Sequence, residues 1–446
     1  MRHLAVWGPL PPSPSGIADY QAEQLPALAR RFRVTIVLEE PTQRATAEAL
    51  GLRWATPQEP PAADLDFYQV GNSPAHAYVY RAALARPGVV LLHDLVLHHL
   101  VLHETVERGD PAAYLREMRR AHGERGSFMG HQIARALGGE VWPARFPLNE
   151  RLLEGSLAVV GLSRAVCDAV APRLAGRPVL RLAHHLSLPL QPLPDRAAAR
   201  TALGLPALAP VVTAPGLATR SKRLDVAVRV VARLRRCRPD LRLVVAGALD
   251  PQLPLQRWAD EAGLGDGLLV TGRLSLEDFA RHLLAADVVL ALRHPSHGEM
   301  SGALVRALGC GRPVVVTAGS PATQEFPEGL VAPVEPGPLE TAQLEALLER
   351  LLTDRGLAES LGRLAGEHVR READLAAVTA RLADLLEQVL AQREGLLARV
   401  VRLRPAAGSL QAYLRDELRW SAHELGLQGL DLGLDPLLAD LCGQRP

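Results

Sequence analysis

The chain has 446 residues, of which 48% are apolar and 22% charged, and its formal net charge is +1. This composition excludes a disordered, collagen-like or coiled-coil chain and predicts two or three domains with buried cores. It leaves no whole-chain basic field for nucleic acid.

In chain order, His3–Trp7 reads as a strand, Gly8 to Gly16 as a Pro/Gly/Ser loop, and Ile17–Arg31 as a helix. Val34–Leu38, Asp66–Val70, Val89–Leu92, Leu157–Gly161 and Val179–Leu182 follow as strands. Short apolar runs without alternation suit strands buried on both faces, and strand–helix alternation argues for a parallel sheet covered by helices. After the Pro-rich stretch Leu188–Pro194 the pattern restarts. Its strands are Val211–Thr213, Leu243–Ala246, Leu268–Thr271, Val288–Leu292, Val314–Thr317 and Leu330–Val334, with a helix over Leu224–Cys237. From Leu339 only helical patterns appear, a long one over Glu372–Leu403 and short amphipathic ones over Leu410–Pro446. The expected domains are 1–187, 195–375 and a helical segment, 376–446. Ligands of such paired α/β units bind at the carboxyl ends of the strands.

Cys167, Cys237, Cys310 and Cys442 are scattered without a C-x-x-C pair, which argues against zinc or a redox dithiol and for a reducing compartment. The N-terminal apolar run is too short for a signal peptide, and no run approaches a membrane span. A cytoplasmic chain is expected, with peripheral contact at the inner face of the cytoplasmic membrane left open.

Four constellations could carry chemistry. The loop ending at Gly16 opens a helix, where unpaired amides and the helix dipole favour an anion, but it lacks the G-x-G-x-x-G fingerprint of a dinucleotide site. His93 and Asp94 end a strand and would face the cleft. His98, His99 and His103 follow without a well-placed ligand carboxylate, so packing and surface roles are expected for them. Arg220, Lys222 and Arg223 put three cations into four residues at a strand-to-helix junction. They would oppose the helix dipole unless an anion binds there. Of the 50 lysines and arginines only Lys222 is a lysine, which hints at a need for an ammonium. Finally, Glu299 precedes a helix that starts near Ser301, whose Ser301, Gly302 and Ala303 amides suit a diphosphate. A carboxylate beside phosphate is expected to accept hydrogen bonds from sugar hydroxyls.

Together PLPPSPSGIADY, QVGNSPAH, LLHDLVLHHL, GLSRAVCDAV, GLATRSKRLDVAVRVVARL, LRLVVAG and HGEMSGALVRALGCGRPVVV resemble glycosyltransferase family 4, over roughly residues 1–375. The resemblance implies the GT-B fold, two Rossmann-like domains facing each other across a cleft, followed by C-terminal helices that cross back to the first domain. It implies a retaining hexosyltransferase using a UDP- or GDP-hexose, without cofactor or metal. The acceptor would be a glycan, lipid-linked glycan or polysaccharide precursor facing the first domain. By position it gives Lys222 the donor diphosphate, Glu299 the donor sugar, His93 the reacting sugar, and Gly16, Ser301, Gly302 and Ala303 a share of the donor. Asp19 and Asp94 fall on the acceptor side. Two departures stand out. Leu217 occupies the position of the usual arginine, for which Arg220 or Arg223 would substitute. Arg306 stands at the second of two usual glutamates and Gly298 at the first, so Glu299 is displaced by one. The rival readings are a GT-B-like epimerase or phosphorylase, and a non-catalytic nucleotide-sugar binder. In the segment Glu104–Ser156, where an acceptor would be read, Arg116, Arg119, Arg120 and Arg125 are interspersed with acids and are expected to form a solvated helix face.

Overall fold

Valine- and leucine-rich runs closed by Gly, Pro or polar residues become two separate, wholly parallel sheets. The computed structural model describes residues 1–403 apart from 138 and 140; the helices expected over 410–446 lie outside the described residues. The first sheet contains β1 (His3–Trp7), β2 (Arg33–Val37), β3 (Arg53–Ala55), β4 (Leu65–Val70), β5 (Val89–Leu92), β6 (Ala158–Gly161) and β7 (Val179–Arg181), ordered β3-β2-β1-β4-β5-β6-β7. The second contains β8 (Val211–Pro215), β9 (Arg242–Ala246), β10 (Leu268–Val270), β11 (Val288–Ala291), β12 (Val314–Thr317) and β13 (Ala332–Val334), ordered β10-β9-β8-β11-β12-β13.

In each sheet the order reverses once, between β1 and β4 and between β8 and β11. Such switch points open a crevice beyond the strand ends. The central strands are buried on both faces, which is why they read as unbroken apolar runs. Edge strand β3, Arg-Trp-Ala, is exposed or half-buried throughout and carries no such signal.

Between β5 and β6 the chain makes a helical excursion. There Arg120 pairs with Glu154, Arg119 with Glu124 and Arg116 with Asp110, all at the surface. The guanidinium of Arg125 lies over the ring of Phe146.

The helical pattern over Glu372–Leu403 is not one helix. One helix ends at Glu372, and Asp374 then caps a new one, Leu375–Ala391, by accepting the Ala377 N–H at 2.8 Å. A further helix, Arg393–Leu403, follows Gln392. Continuous apolar periodicity hides such breaks because a capping Asp costs little in the pattern. The helix Leu375–Ala391 packs against the helix Gly16–Leu28, and Arg31 reaches Asp384 at 2.6 Å and Glu387 at 2.7 Å. Met1–Arg393 form one compact unit.

The turn after β9 fixes the floor of the second domain's crevice. A Cβ on Gly247 would lie 2.5 Å from the carbonyl oxygen of Gly216 and 2.6 Å from its carbon. These are backbone atoms that cannot rotate away. Gly247→Ala is expected to cost about 1–3 kcal/mol, the usual range for overpacking, read as a lowered urea midpoint.

Candidate functional site

A cleft of about 410 Å³ lies between the carboxyl ends of the two sheets. On the first domain's side, Ser15 caps the helix after β1, its Oγ accepting the Ile17 N–H at 3.2 Å. Gly16 lines the cleft, and an added Cβ there would meet nothing within 4 Å, so its backbone is approachable from the cleft. One turn on, burial raises the Asp19 carboxyl pKa while Arg306 and Arg273 oppose the shift.

His93, at the end of β5, is buried. Its Nε2 lies 2.7 Å from Gln69 Oε1, and its ring meets Tyr20 edge-on at 5.0 Å. An amide oxygen opposite Nε2 fixes the proton there and leaves Nδ1 unprotonated. Burial holds the ring neutral, well below its usual range. Beside it, Asp94 Oδ2 accepts the Asn72 N–H at 2.7 Å. Burial, and then the Glu299 charge, push the Asp94 carboxyl up to about 7.

On the second domain's side, Gly216 turns the chain at φ 81° after β8, and Lys222 comes back beneath it to donate to the Pro215 carbonyl. A side chain at Gly216 would crowd the ammonium, its Cβ 3.0 Å from Nζ. Burial and the nearby Arg293 drive the Lys222 pKa well below its usual value. A diphosphate docked against it would reverse that shift.

Arg220 and Arg223, expected to share the anion, do not line this cleft. Residues 220–222 form a turn of 3₁₀ helix, three residues per turn, which sends successive side chains to different sides. Arg223, at φ 55°, instead binds the buried Glu340 through Nε at 3.1 Å and through Nη2. The cleft's other cations are Arg273, Arg293 and Arg306. They come from separate loops and one helix, so no local motif announced them as a set.

Glu299 lines the cleft but is largely committed to its own loop. Its Oε2 accepts the His297 N–H at 2.6 Å and the Ser296 hydroxyl at 3.2 Å, and its Oε1 lies 2.8 Å from Arg293 Nε. The neighbouring Gly298, at φ 80°, shows why no longer residue stands one place earlier. Its Cβ would be 2.5 Å from Leu95 Cβ in the other domain. Ser301 then caps the helix Gly302–Gly309, its Oγ accepting the Leu304 N–H at 3.3 Å. That leaves the first-turn amides of Gly302 and Ala303 at the cleft.

Of the other histidines, His98 bridges the Phe146 carbonyl and the Tyr114 hydroxyl. His99 contacts Asn72, and His103 pairs with Glu107. They serve local packing and polarity.

Several contacts cross between the domains. Arg306 Nη2 meets Glu23 Oε1 at 2.6 Å, and Glu23 Oε2 meets His185 Nε2 at 2.9 Å. The Val96 N–H donates to the His297 carbonyl at 2.9 Å, and Arg273 donates to the Pro12 carbonyl at 3.1 Å. His185, Glu23 and Arg306 acquire meaning only from this juxtaposition, which sequence spacing does not carry.

Two outcomes follow from this geometry. Removing either partner of the mostly buried Glu23–Arg306 pair, as in Glu23→Gln or Arg306→Gln, is expected to cost about 3 kcal/mol. A double-mutant cycle in urea should give a coupling of roughly 1–3 kcal/mol. For Asp94 the sign is set by its raised pKa: the folded protein holds this proton more tightly than the unfolded chain. Its contribution to stability is fully present below the unfolded pKa and is lost as pH rises towards about 7. The Tm of Asp94→Asn minus that of the wild type should therefore increase across that interval and then level off.

Residues 195–368 match the family profile described as "Glycosyl transferases group 1". Among curated proteins, a D-inositol 3-phosphate glycosyltransferase from Mycobacterium sp. (strain KMS) is 38% identical over 130 residues. That match covers 28% of this chain and 28% of the relative, so well under half of the relative's length is represented. Among solved structures, Anabaena HepE in complex with UDP and glucose superposes with a TM-score of 0.62 at 17% identity, covering 87% of this chain and all of that one. Sucrose-phosphate synthase from Thermosynechococcus elongatus gives 0.60 at 18%, covering 88% and 100%. At these identities the likeness establishes the fold. The chain has the GT-B fold of two Rossmann-like domains, and its second domain carries the group 1 glycosyl transferase signature over 195–368.

Proposed function

We propose that this chain is a retaining glycosyltransferase that moves a hexose from a nucleotide-sugar such as a UDP- or GDP-hexose to a carbohydrate or lipid-linked acceptor. One observation carries the reading: the Lys222 ammonium and the Gly302 and Ala303 amides converge on a cleft whose opposite wall holds Gly16, His93 and Asp94. A diphosphate is the ligand such a wall of donors suits, and the HepE structure, similar in fold, holds UDP and glucose.

In this mechanism the bond from the anomeric carbon to the donor diphosphate breaks first, leaving an oxocarbenium-like sugar. Lys222 and the helix amides take up the charge on the departing diphosphate, so the reading calls for no metal. The acceptor hydroxyl then attacks from the face the diphosphate has left and passes its proton to the departing phosphate oxygen, which retains configuration and needs no protein nucleophile. His93, neutral and with Nδ1 free of a proton, orients the reacting sugar. Glu299 holds Arg293 and its own loop against the donor sugar.

A second reading, a nucleotide-sugar binder without transferase activity, is favoured by one feature. Arg306 is engaged with Glu23 across the cleft, and no carboxylate stands in its place. Turnover or hydrolysis of a bound donor separates the two.

Calorimetric titration with UDP, GDP and ADP tests the donor site. One nucleotide should bind tightly to the wild type and lose most of its affinity in Lys222→Ala. Turnover should fall by a factor on the order of 100–1,000, the usual effect of removing one charge-stabilising donor. If none of the three binds more tightly than millimolar, the donor assignment fails.

A further inference from the structure

His184 lines the cleft and has no part in the mechanism above. It stands just past β7, in the segment that leads to the second domain, and is only 8% exposed. Its ring sits edge-on against Tyr20 at 4.8 Å. Its Nδ1 lies 3.0 Å from the His185 carbonyl oxygen. A carbonyl only accepts, so Nδ1 carries the proton and Nε2 keeps a bare lone pair. Burial, then His185 and Arg306, push the ring's pKa down to about 3, so that lone pair is present at neutral pH. Nε2 has no hydrogen-bond partner among the described residues.

Two neighbours decide what suits it. A Cβ added to Gly302 would lie 3.0 Å from His184 Nε2 and 3.4 Å from Arg306 Nη1. The missing side chain at Gly302 thus leaves an acceptor and a donor flanking one point where the helix Gly302–Gly309 begins. Arg306 spends Nε on the Ser187 carbonyl at 3.2 Å and Nη2 on Glu23 at 2.6 Å. Its Nη1 has no partner among the described residues, and no hydrogen bond joins it to Nε2. All three residues line the cleft. A phosphate oxygen suits the guanidinium but is repelled by the lone pair of Nε2. A hydroxyl suits both, because it donates and accepts at once. In a nucleotide-sugar the two units joined directly to the diphosphate, ribose and hexose, both carry hydroxyls.

We propose that His184 and Arg306 form a hydroxyl-reading pair, in which Nε2 accepts a hydroxyl hydrogen of the bound donor and Nη1 donates to that oxygen or its neighbour. The pair selects the ligand and takes no part in bond breaking. That the ligand is a nucleotide-sugar rests on the transferase reading; the preference for a hydroxyl rests on the pair itself. The hydroxyl belongs to the ribose or to the hexose, and the test separates the two.

UDP, GDP, their 2′,3′-dideoxy forms, UDP-glucose and GDP-mannose are titrated into the wild type, His184→Phe, His184→Gln and Gly302→Ala, each variant checked first by its melting curve. His184→Phe keeps the bulk of the ring and removes its nitrogens. Gly302→Ala keeps His184 and closes the room before Nε2. If the ribose is read, the wild type should bind a nucleotide about tenfold more tightly than its dideoxy form, the effect of one hydrogen bond whose loss leaves an acceptor unpaired. His184→Phe and Gly302→Ala should then bind the two alike, and His184→Gln, which returns an acceptor, should recover part of the preference. If the hexose is read, these variants should leave nucleotide binding unchanged and lose about tenfold in affinity for the nucleotide-sugar. Variants that match the wild type for every ligand overturn the proposal and leave the donor reading standing. So does a loss confined to Gly302→Ala while a folded His184→Phe binds as the wild type does, since that reports only a crowded helix end. A wild type that binds none of these ligands removes the donor reading, and the pair with it.

Discussion

The Glu23 carboxylate joins the two halves of this protein. It stands on the helix that follows β1, yet one of its oxygens belongs to Arg306 of the second domain and the other to His185 in the segment leading to that domain. Tyr20, one turn earlier, lies under the His185 ring at 4.2 Å and meets His93 on its other side. One helix therefore carries the interdomain ion pair, the support of the cleft histidine and, at its amino end, the Gly16 wall. Two mostly buried charges gain little net stability from meeting, because desolvation offsets most of the attraction. What the pair specifies is register: with either partner missing, the other is left buried and uncompensated.

Given that register, the cleft sorts its charges. Lys222, Arg273 and Arg293 come from the second domain, while Asp19 and Asp94 come from the first. Glu299 is the exception, and it is neutralised where it stands by Arg293 and by its own loop. The pKa directions follow this arrangement. Lys222 is pushed down by burial and a neighbouring cation, Asp94 up by burial and a neighbouring carboxylate. A dianionic ligand on the second domain's side would relieve the first strain. A neutral Asp94 would relieve the second without adding negative charge beside that ligand. Each group favours the protonation state that makes anion binding less costly.

The fold was largely legible because burial on both faces writes itself into unbroken valine and leucine runs. β1, β5 and β12 have the boundaries that their sequences imply. What escaped lies where the pattern has no physical source. The short edge strand β3 packs too little to need apolar residues, and the break at Asp374 leaves the helical period intact. In the site, Lys222 is marked by being the lone lysine, and Gly16, Ser301 and Gly302 by standing at helix starts. Arg220 and Arg223 are equivalent to Lys222 in sequence but not in space, because the 3₁₀ turn sends their side chains elsewhere. The pairing of Arg306 with Glu23 spans the domain boundary, and no spacing rule reaches that far.

The displaced Glu299 follows from the same juxtaposition. At residue 298 the second domain comes so close to Leu95 that only glycine fits, and the His297 carbonyl is held by the Val96 N–H. A carboxylate needed at this loop must then sit one residue later, where the chain has turned through a left-handed glycine. From there it reaches back to the His297 amide and sideways to Arg293. Its position is fixed by the approach of the two domains as much as by any ligand. A shift in how the domains meet would move Glu299, Arg293 and the Gly302 amides together. The interface is thus an element of the cleft's chemistry.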